Sequence, residues 1–257
     1  MIGLVYAFII ILANSIGAVS GMGGGVLIKP IFDLLGYHSV ASISFYSAVA
    51  VFTMSIVSTY RQVKNGIVIS WAKVFWIALG SLLGGYAGNA VFGYLLAVFG
   101  ANVTQLIQII LTVLTLVFAL IYSLFQLKQF QLKQWYWFVV CGTVLGFLAS
   151  LLGIGGGPIN VSLLMLMFSL PIKEATVYSI CTIFFSQLSK LATIAITGGL
   201  VHYDLMILIY VIPAAIIGGF LGAQLSKLLP AQKITQIFRA VIVLVILLNL
   251  YNGFGLL

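Results

Sequence analysis

Two apolar segments of this chain, residues 2–35 and 135–169, run for 34 and 35 residues, and each carries a glycine cluster near its middle. The first cluster reads Ser20-Gly21-Met22-Gly23-Gly24-Gly25 and the second Leu152-Gly153-Ile154-Gly155-Gly156-Gly157. As continuous helices these segments would reach about 51 to 53 Å at 1.5 Å per residue, against a hydrocarbon core of about 30 Å. Glycine weakens a helix interior by about 1 kcal/mol relative to alanine, and several together favour a turn or unwound backbone. Each segment must therefore break at its glycines.

The bilayer is the solvent this composition calls for, with 63% hydrophobic and only 5% charged residues. Further apolar segments lie at 39–60, 67–97, 103–125, 175–197, 204–226 and 234–251. The third segment of the chain, 67–97, is also long, and Gly93 and Gly100 allow a short interfacial helix after its span. Of the eleven basic and three acidic side chains, most sit singly or in pairs at segment ends, as anchors do, and they form no patch that nucleic acid could use. Cys141 and Cys181 lie inside apolar segments without metal-type spacing, so they read as packing residues and no metal is expected. No cofactor is expected either. Residues 1–12 lack a basic n-region, which predicts an uncleaved start. No carboxylate pair, Ser/His/Asp set or His/Cys cluster occurs, so the sequence offers no catalytic chemistry and predicts a protein that is not an enzyme.

The glycine clusters belong to a longer duplication. At an offset of 132, residues 21–47 lie over 153–179, aligning Tyr46-Ser47 with Tyr178-Ser179. Further on, Gly84-Gly85-Tyr86-Ala87-Gly88 aligns with Gly218-Gly219-Phe220-Leu221-Gly222, and Val103-Thr104-Gln105 with Ile234-Thr235-Gln236. The expected organisation is a first repeat over 1–125, a linker over 126–134 and a second repeat over 135–257, within one membrane domain. The fold class is an all-α polytopic membrane protein of two inverted repeats, each a glycine-broken hairpin followed by three membrane helices.

Charge placement sets the orientation. If segments one and five dip in and return, then Arg61, Lys64, Lys73, Lys128, Lys133, Lys173, Lys227, Lys233 and Arg239 share one face, nine of the eleven basic residues. The other face takes the loops 99–102 and 197–203 and both termini, with no basic residue. The positive-inside rule makes the first face cytoplasmic and predicts periplasmic termini in a cell inner membrane. A single crossing by all eight segments breaks that rule.

Hairpins entering from opposite faces bring their glycine tips together near the midplane, where exposed backbone is tolerated only in protein or along a cavity. Helix N-termini at 25–27 and 157–159 favour an anion, and glycine lets it approach the backbone. The expected site is Gly21, Gly23, Gly24, Gly25, Gly153, Gly155, Gly156 and Gly157, with Ser20, Ser47 and Ser179 as hydroxyl donors. Close helix packing is the alternative for these clusters, and it is the better reading of Gly84, Gly85, Gly88, Gly218, Gly219 and Gly222. Lys29 and Lys190 are the basic residues inside apolar segments, where a charge costs about 2.5 to 3.5 kcal/mol on insertion scales. Lys190 lies on a stripe with Ser179, Thr182, Ser186, Gln187 and Ser189, and Gln187 and Lys190 are assigned to one gate of the site. Lys29 has two readings, a substrate or coupling contact or an i,i+4 pair with Asp33. Asp33 is the acid placed to carry a coupling proton, while Glu174 reads as a first-turn acid. His38, His202 and Asp204 sit at segment ends, and Trp71, Trp76, Trp135 and Trp137 read as belt anchors.

The clusters GMGGG and GIGGG, the run GGFLGAQLSKLLP at 218–230 and the half-repeat together resemble the TauE/SafE sulfite exporter family of membrane permeases. The resemblance spans nearly the whole chain. It implies a prokaryotic inner-membrane secondary transporter for sulfite or a small organosulfonate, working in export. Uptake of another small anion or sulfur compound, or an anion channel, is the alternative. The chain departs from the usual pattern in having Lys29 before Pro30 and Tyr178-Ser179 in its sixth segment. The implied partners are a small anionic substrate and the lipid bilayer, with a homo-oligomer left open.

Overall fold

A computed structural model describes residues 2–65, 70–125 and 128–256. Residues 66–69, at the start of the third apolar segment, and 126–127 of the expected linker lie outside these. Among the described residues nine α-helices follow in order: α1 (Ile2–Ser20), α2 (Gly25–Leu35), α3 (Val40–Lys64), α4 (Trp71–Phe125), α5 (Trp135–Leu152), α6 (Pro158–Phe168), α7 (Ile172–Ile196), α8 (Leu208–Leu228) and α9 (Ala231–Phe254), with short 3₁₀ turns between α7 and α8. Among the described residues there is no strand, and seven helical stretches are long and apolar enough to cross a membrane. This is a multi-pass α-helical membrane protein.

Both overlong segments break at their glycines, and both turn back. The chain reverses between α1 and α2, where the Gly23 N–H donates to the Gly17 carbonyl at 3.3 Å. At the open end of that hairpin Tyr6 stacks on Phe32, with centroids 3.7 Å apart, and the Tyr6 hydroxyl lies 2.8 Å from His38 Nδ1. The second hairpin repeats the arrangement: Gly155 N–H donates to Ala149 at 3.2 Å, and Phe138 stacks on Phe168 at 4.0 Å. The returning helices, of 11 residues each, reach about 16 Å, half a bilayer core.

The long third segment departs from expectation. No short interfacial helix forms at Gly93, which stays helical with open space around it. The helix continues to Gly100, where φ 74 and ψ −178 bend α4 into two arms, 71–99 and 101–125. A single glycine with nothing against it costs a helix too little to end it, whereas the left-handed φ at Gly100 cannot belong to any helical turn.

α3 and α7, 25 residues each, form the centre. Their contacts run in opposite senses, since Lys190 meets Ser44, Phe184 stacks on Phe52 at 5.2 Å, and Cys181 faces the same cavity as Thr59. The two helices are therefore antiparallel. The small-residue runs do pack, as expected. Cβ atoms on Gly84 and Gly88 would collide with the carbonyls of Thr143 and Phe147 on α5, while one on Gly218 would stand 2.8 Å from the Ile11 carbonyl of α1 and one on Gly222 would collide with that of Ser15. Gly85 lies on Ser186 of α7, and Gly219 on Met54 of α3. Loss of these side chains lets backbones approach closely, which is how helices adhere where lipid removes the hydrophobic drive.

Candidate functional site

The two glycine loops meet. A Cβ on Gly23 would stand 3.6 Å from the Gly155 carbonyl and 3.3 Å from Val51, and one on Gly155 would press on Val51 at 2.8 Å. One on Gly156 would press on Ile183 at 2.6 Å. Val51 and Ile183 are each the twelfth residue of their 25-residue helices, so the loops sit at mid-length of α3 and α7. A Cβ on Gly25 would collide with the Ile154 carbonyl and approach Ser47 Oγ at 2.9 Å. Side chains at these glycines are thus excluded by Val51 of α3, Ile183 of α7 and the Ile154 backbone.

Each loop ends in a helix N-terminus. α2 starts at Gly25 with Gly24 as its cap, and α6 starts at Pro158 after Gly157, neither with a side-chain cap. The early N–H groups of a helix have no intrahelical partner, and they carry the positive end of its dipole. Pro158 suits its position because it has no N–H to leave unpaired. Both starts are buried, with Gly24, Gly25, Gly156, Gly157 and Ile159 all in the interior.

The hydroxyls expected beside the loops have different fates. Ser20 Oγ donates back to the Ile16 carbonyl at 2.8 Å, and Ser179 Oγ donates to the Gly21 carbonyl at 2.6 Å. Ser179 therefore holds the loop, and its lone pairs rather than its proton face elsewhere. Ser47 Oγ is buried with no partner. Gln187 is fully buried; its Nε2 reaches Ser186 Oγ at 3.3 Å and its Oε1 is unpaired. Sequence reading missed Asn160 and Asn14. Both Asn160 amide atoms are buried without partners, with Nδ2 3.0 Å from where a Gly156 Cβ would lie, and Asn14 packs directly on Gly24 with its Oδ1 unpaired. Buried polar atoms normally find partners, so the unpaired atoms beside the two glycine loops leave donors and acceptors free for a polar ligand.

Lys190 closes one side of the site. It is 1% exposed, and its Nζ donates to Ser44 Oγ at 2.7 Å and to the Ser150 carbonyl at 3.4 Å. The Phe92 ring lies 5.4 Å away, within cation–π reach. An ammonium has three N–H donors, so these two acceptors leave one. Ser44 also touches the second loop, since a Gly153 Cβ would stand 2.5 Å from its Oγ. Lys29 approaches the same glycine, with its Cε 3.4 Å from that point, but its Nζ pairs with Asp33 at 2.8 Å with both side chains 4% exposed. The i,i+4 reading of Lys29 thus describes this structure. Among the described residues Lys190 has no carboxylate partner, and a buried cation without one is costly unless something else compensates it.

Above Lys190 opens a cavity of about 410 Å³, lined among others by Ser44, Asn89, Phe92, His202 and Tyr203. It lies where α3 begins and α7 ends. The cavity with its ammonium lacking a carboxylate partner, and the two uncapped helix N-termini at the glycine loops, are the features that favour a small anion.

Broken half-helices meeting inside a polytopic bundle define the class as a membrane transporter. Comparison with known proteins agrees. The family model described as sulfite exporter TauE/SafE matches residues 6–249, and the chain belongs to that family. It is 29% identical over 199 residues to the probable membrane transporter protein MJ0441 of Methanocaldococcus jannaschii, covering 73% of this chain and 67% of that one. It is 34% identical over 110 residues to the probable membrane transporter protein YunE of Bacillus subtilis, covering 43% of this chain but 39% of the relative. A third match, 30% identical over 106 residues, is the probable membrane transporter protein MamO of Magnetospirillum gryphiswaldense, of which it covers 17% against 39% of this chain. No solved structure matches.

Proposed function

We propose that the protein is a secondary permease for a small sulfur-containing anion, sulfite or an organosulfonate, and that it works in export by alternating access around the paired glycine loops. The observation that carries this reading is Lys190: a buried ammonium with one donor left, at the base of a polar cavity and one serine away from the Gly153 loop. An oxyanion there meets the ammonium, and on passing to the glycine loops it would meet the positive ends of α2 and α6. The family description supplies the sulfite expectation.

The halves are read as inverted repeats over 1–125 and 135–257, in a cytoplasmic membrane with the basic loops inside and both termini outside. Several contacts that recur in pairs support this. The Tyr46 hydroxyl donates to the Asp204 carbonyl at 3.2 Å, while the Tyr178 hydroxyl accepts from the Ser70 N–H at 3.0 Å. The pairs Gly21 with Thr176 and Gly153 with Ser44 are likewise related by the 132-residue offset. α3 and α7, equivalent at that offset, run antiparallel, as inversion requires.

The test is radiolabelled sulfite flux into proteoliposomes, with and without a pH gradient, competed by sulfoacetate, taurine, sulfate, thiosulfate and chloride. Saturable flux that follows the gradient and is blocked by sulfonates is the expected result. Flux that never saturates would convert the carrier into a channel, and no sulfite flux from folded protein would remove the substrate.

A further inference from the structure

The cavity above Lys190 has a counterpart on the opposite face. A smaller hollow of about 100 Å³ lies where α3 ends and α7 begins, lined by Gln62, Asn65, Lys173, Ala223, Ser226 and Lys227. These are the sequence equivalents of residues lining the larger cavity. Gln62 and Asn65 stand 132 positions before Ile194 and Thr197, and Ala223 and Ser226 stand 134 after Asn89 and Phe92. Lys173 and Lys227 correspond in the same way to Ala41 and Gly93. One face is therefore open by about 410 Å³ and its equivalent is narrowed to about 100 Å³.

The two vestibules carry their charge at different depths. In the open cavity the cation is Lys190, buried at the base. Its equivalent, Ser58, is bonded by Gln62 Nε2 at 3.2 Å, and the cations of the narrow vestibule are the more exposed Lys173 and Lys227 at its rim. Glu174, next to Lys173, does not line the hollow. Gln62 is 1% exposed and its Oε1 has no partner. The two ends of an amide are exchangeable, so with Oε1 accepting from the Ser58 hydroxyl the NH₂ turns two donors into the hollow. At about 30 Å³ per water, the space holds about three waters, enough for an oxyanion head.

We propose that this narrow vestibule is a second anion site, where Lys173 and Lys227 capture the substrate's oxyanion head from the face opposite the open cavity before it passes to Lys190. The proposal rests on the permease reading above and adds where the anion first binds on the second face. Rim lysines concentrate anions at the mouth, while the deep lysine holds them once the vestibule opens.

The test places a cysteine in the hollow, Ser226→Cys or, if that variant does not fold, Asn65→Cys, in the full chain with Cys141→Ala and Cys181→Ala. Its reaction rates with a sulfonate-bearing and a trimethylammonium-bearing methanethiosulfonate are compared, each relative to a free thiol. The anionic reagent is expected to be favoured about tenfold, the lower end of electrostatic focusing, and the preference is expected to fall toward one in Lys173→Gln/Lys227→Gln. A ratio equal to that of the free thiol, or one unchanged by removing both lysines, overturns the site. In oriented vesicles the same lysine pair variant should raise the KM for sulfite severalfold from this face and leave it unchanged from the other; an equal change on both faces also overturns it. A wild-type protein that carries no sulfite would remove the substrate reading, and the labelling ratio would still decide the vestibule.

Discussion

At the residue scale, the site depends on atoms that are absent. Gly155 holds φ 68, where an L side chain costs about 1 to 2 kcal/mol, and a Cβ there would meet Val51 at 2.8 Å. Gly36 holds nearly the same φ, 65, but has nothing within 4 Å. Gly155→Ala should therefore lower the melting temperature and abolish transport, whereas Gly36→Asn, which tolerates the left-handed conformation, should do neither. Equal effects of the two variants would show that the loop contacts are unimportant. The Lys29–Asp33 pair makes a different prediction. Removing one member of a buried pair leaves an uncompensated charge, so Asp33→Asn should destabilise the protein by about 3 to 5 kcal/mol, and Lys29→Met combined with Asp33→Leu should recover most of that loss. Denaturation of the wild-type protein and the two variants in one detergent reads this directly. If the double variant is stable but loses dependence on a pH gradient, Asp33 carries the coupling proton in addition to its structural role.

At the scale of elements, glycine acts in two ways, and surroundings separate them. Gly84 has the Thr143 carbonyl of α5 against it, and Gly93, two and a half turns further on in the same helix, has open space. Gly84→Ala should loosen the packing of α4 on α5 and lower stability. Gly93→Ala should raise helix stability by up to about 1 kcal/mol. Thermal unfolding of both variants checks the pair, and a neutral Gly84→Ala would contradict the backbone contact.

The same contrast explains what could be read from the sequence. The two broken helices were legible because excess length and clustered glycines act locally. The packing role of Gly84, Gly85, Gly88, Gly218, Gly219 and Gly222 was legible from spacing. Gly93 misled because one glycine says nothing about whether its helix has a neighbour there. Ser44, Ser150, Asn14 and Asn160 were not singled out, since what distinguishes them is their position against Lys190 or a glycine loop from another part of the chain. The Ser20 hydroxyl was expected to face the ligand but bonds its own helix, a local alternative open to any helical serine.

At the scale of the whole molecule, the proposed arrangement has two equivalent halves facing opposite ways. The antiparallel α3 and α7, the paired tyrosine contacts and the two unequal vestibules are consistent with that proposed relation. A reporter inserted at Gly199 should lie on the opposite side of the membrane from one inserted at Lys64, the former periplasmic and the latter cytoplasmic. Both reporting from one side would contradict the inverted arrangement. Exchange of the open and narrowed vestibules would then carry an anion past the glycine loops with Lys190 as its fixed counter-charge.

The most direct test of that central claim is sulfite flux at matched protein density in liposomes holding wild-type protein or Lys190→Gln, with membrane insertion and melting temperature measured alongside. Wild-type flux should be saturable and the variant's at least tenfold lower, a difference of about 1.4 kcal/mol or more, with insertion and stability preserved. Unchanged flux kinetics in a folded Lys190→Gln protein would contradict that claim and remove Lys190 from the anion's path.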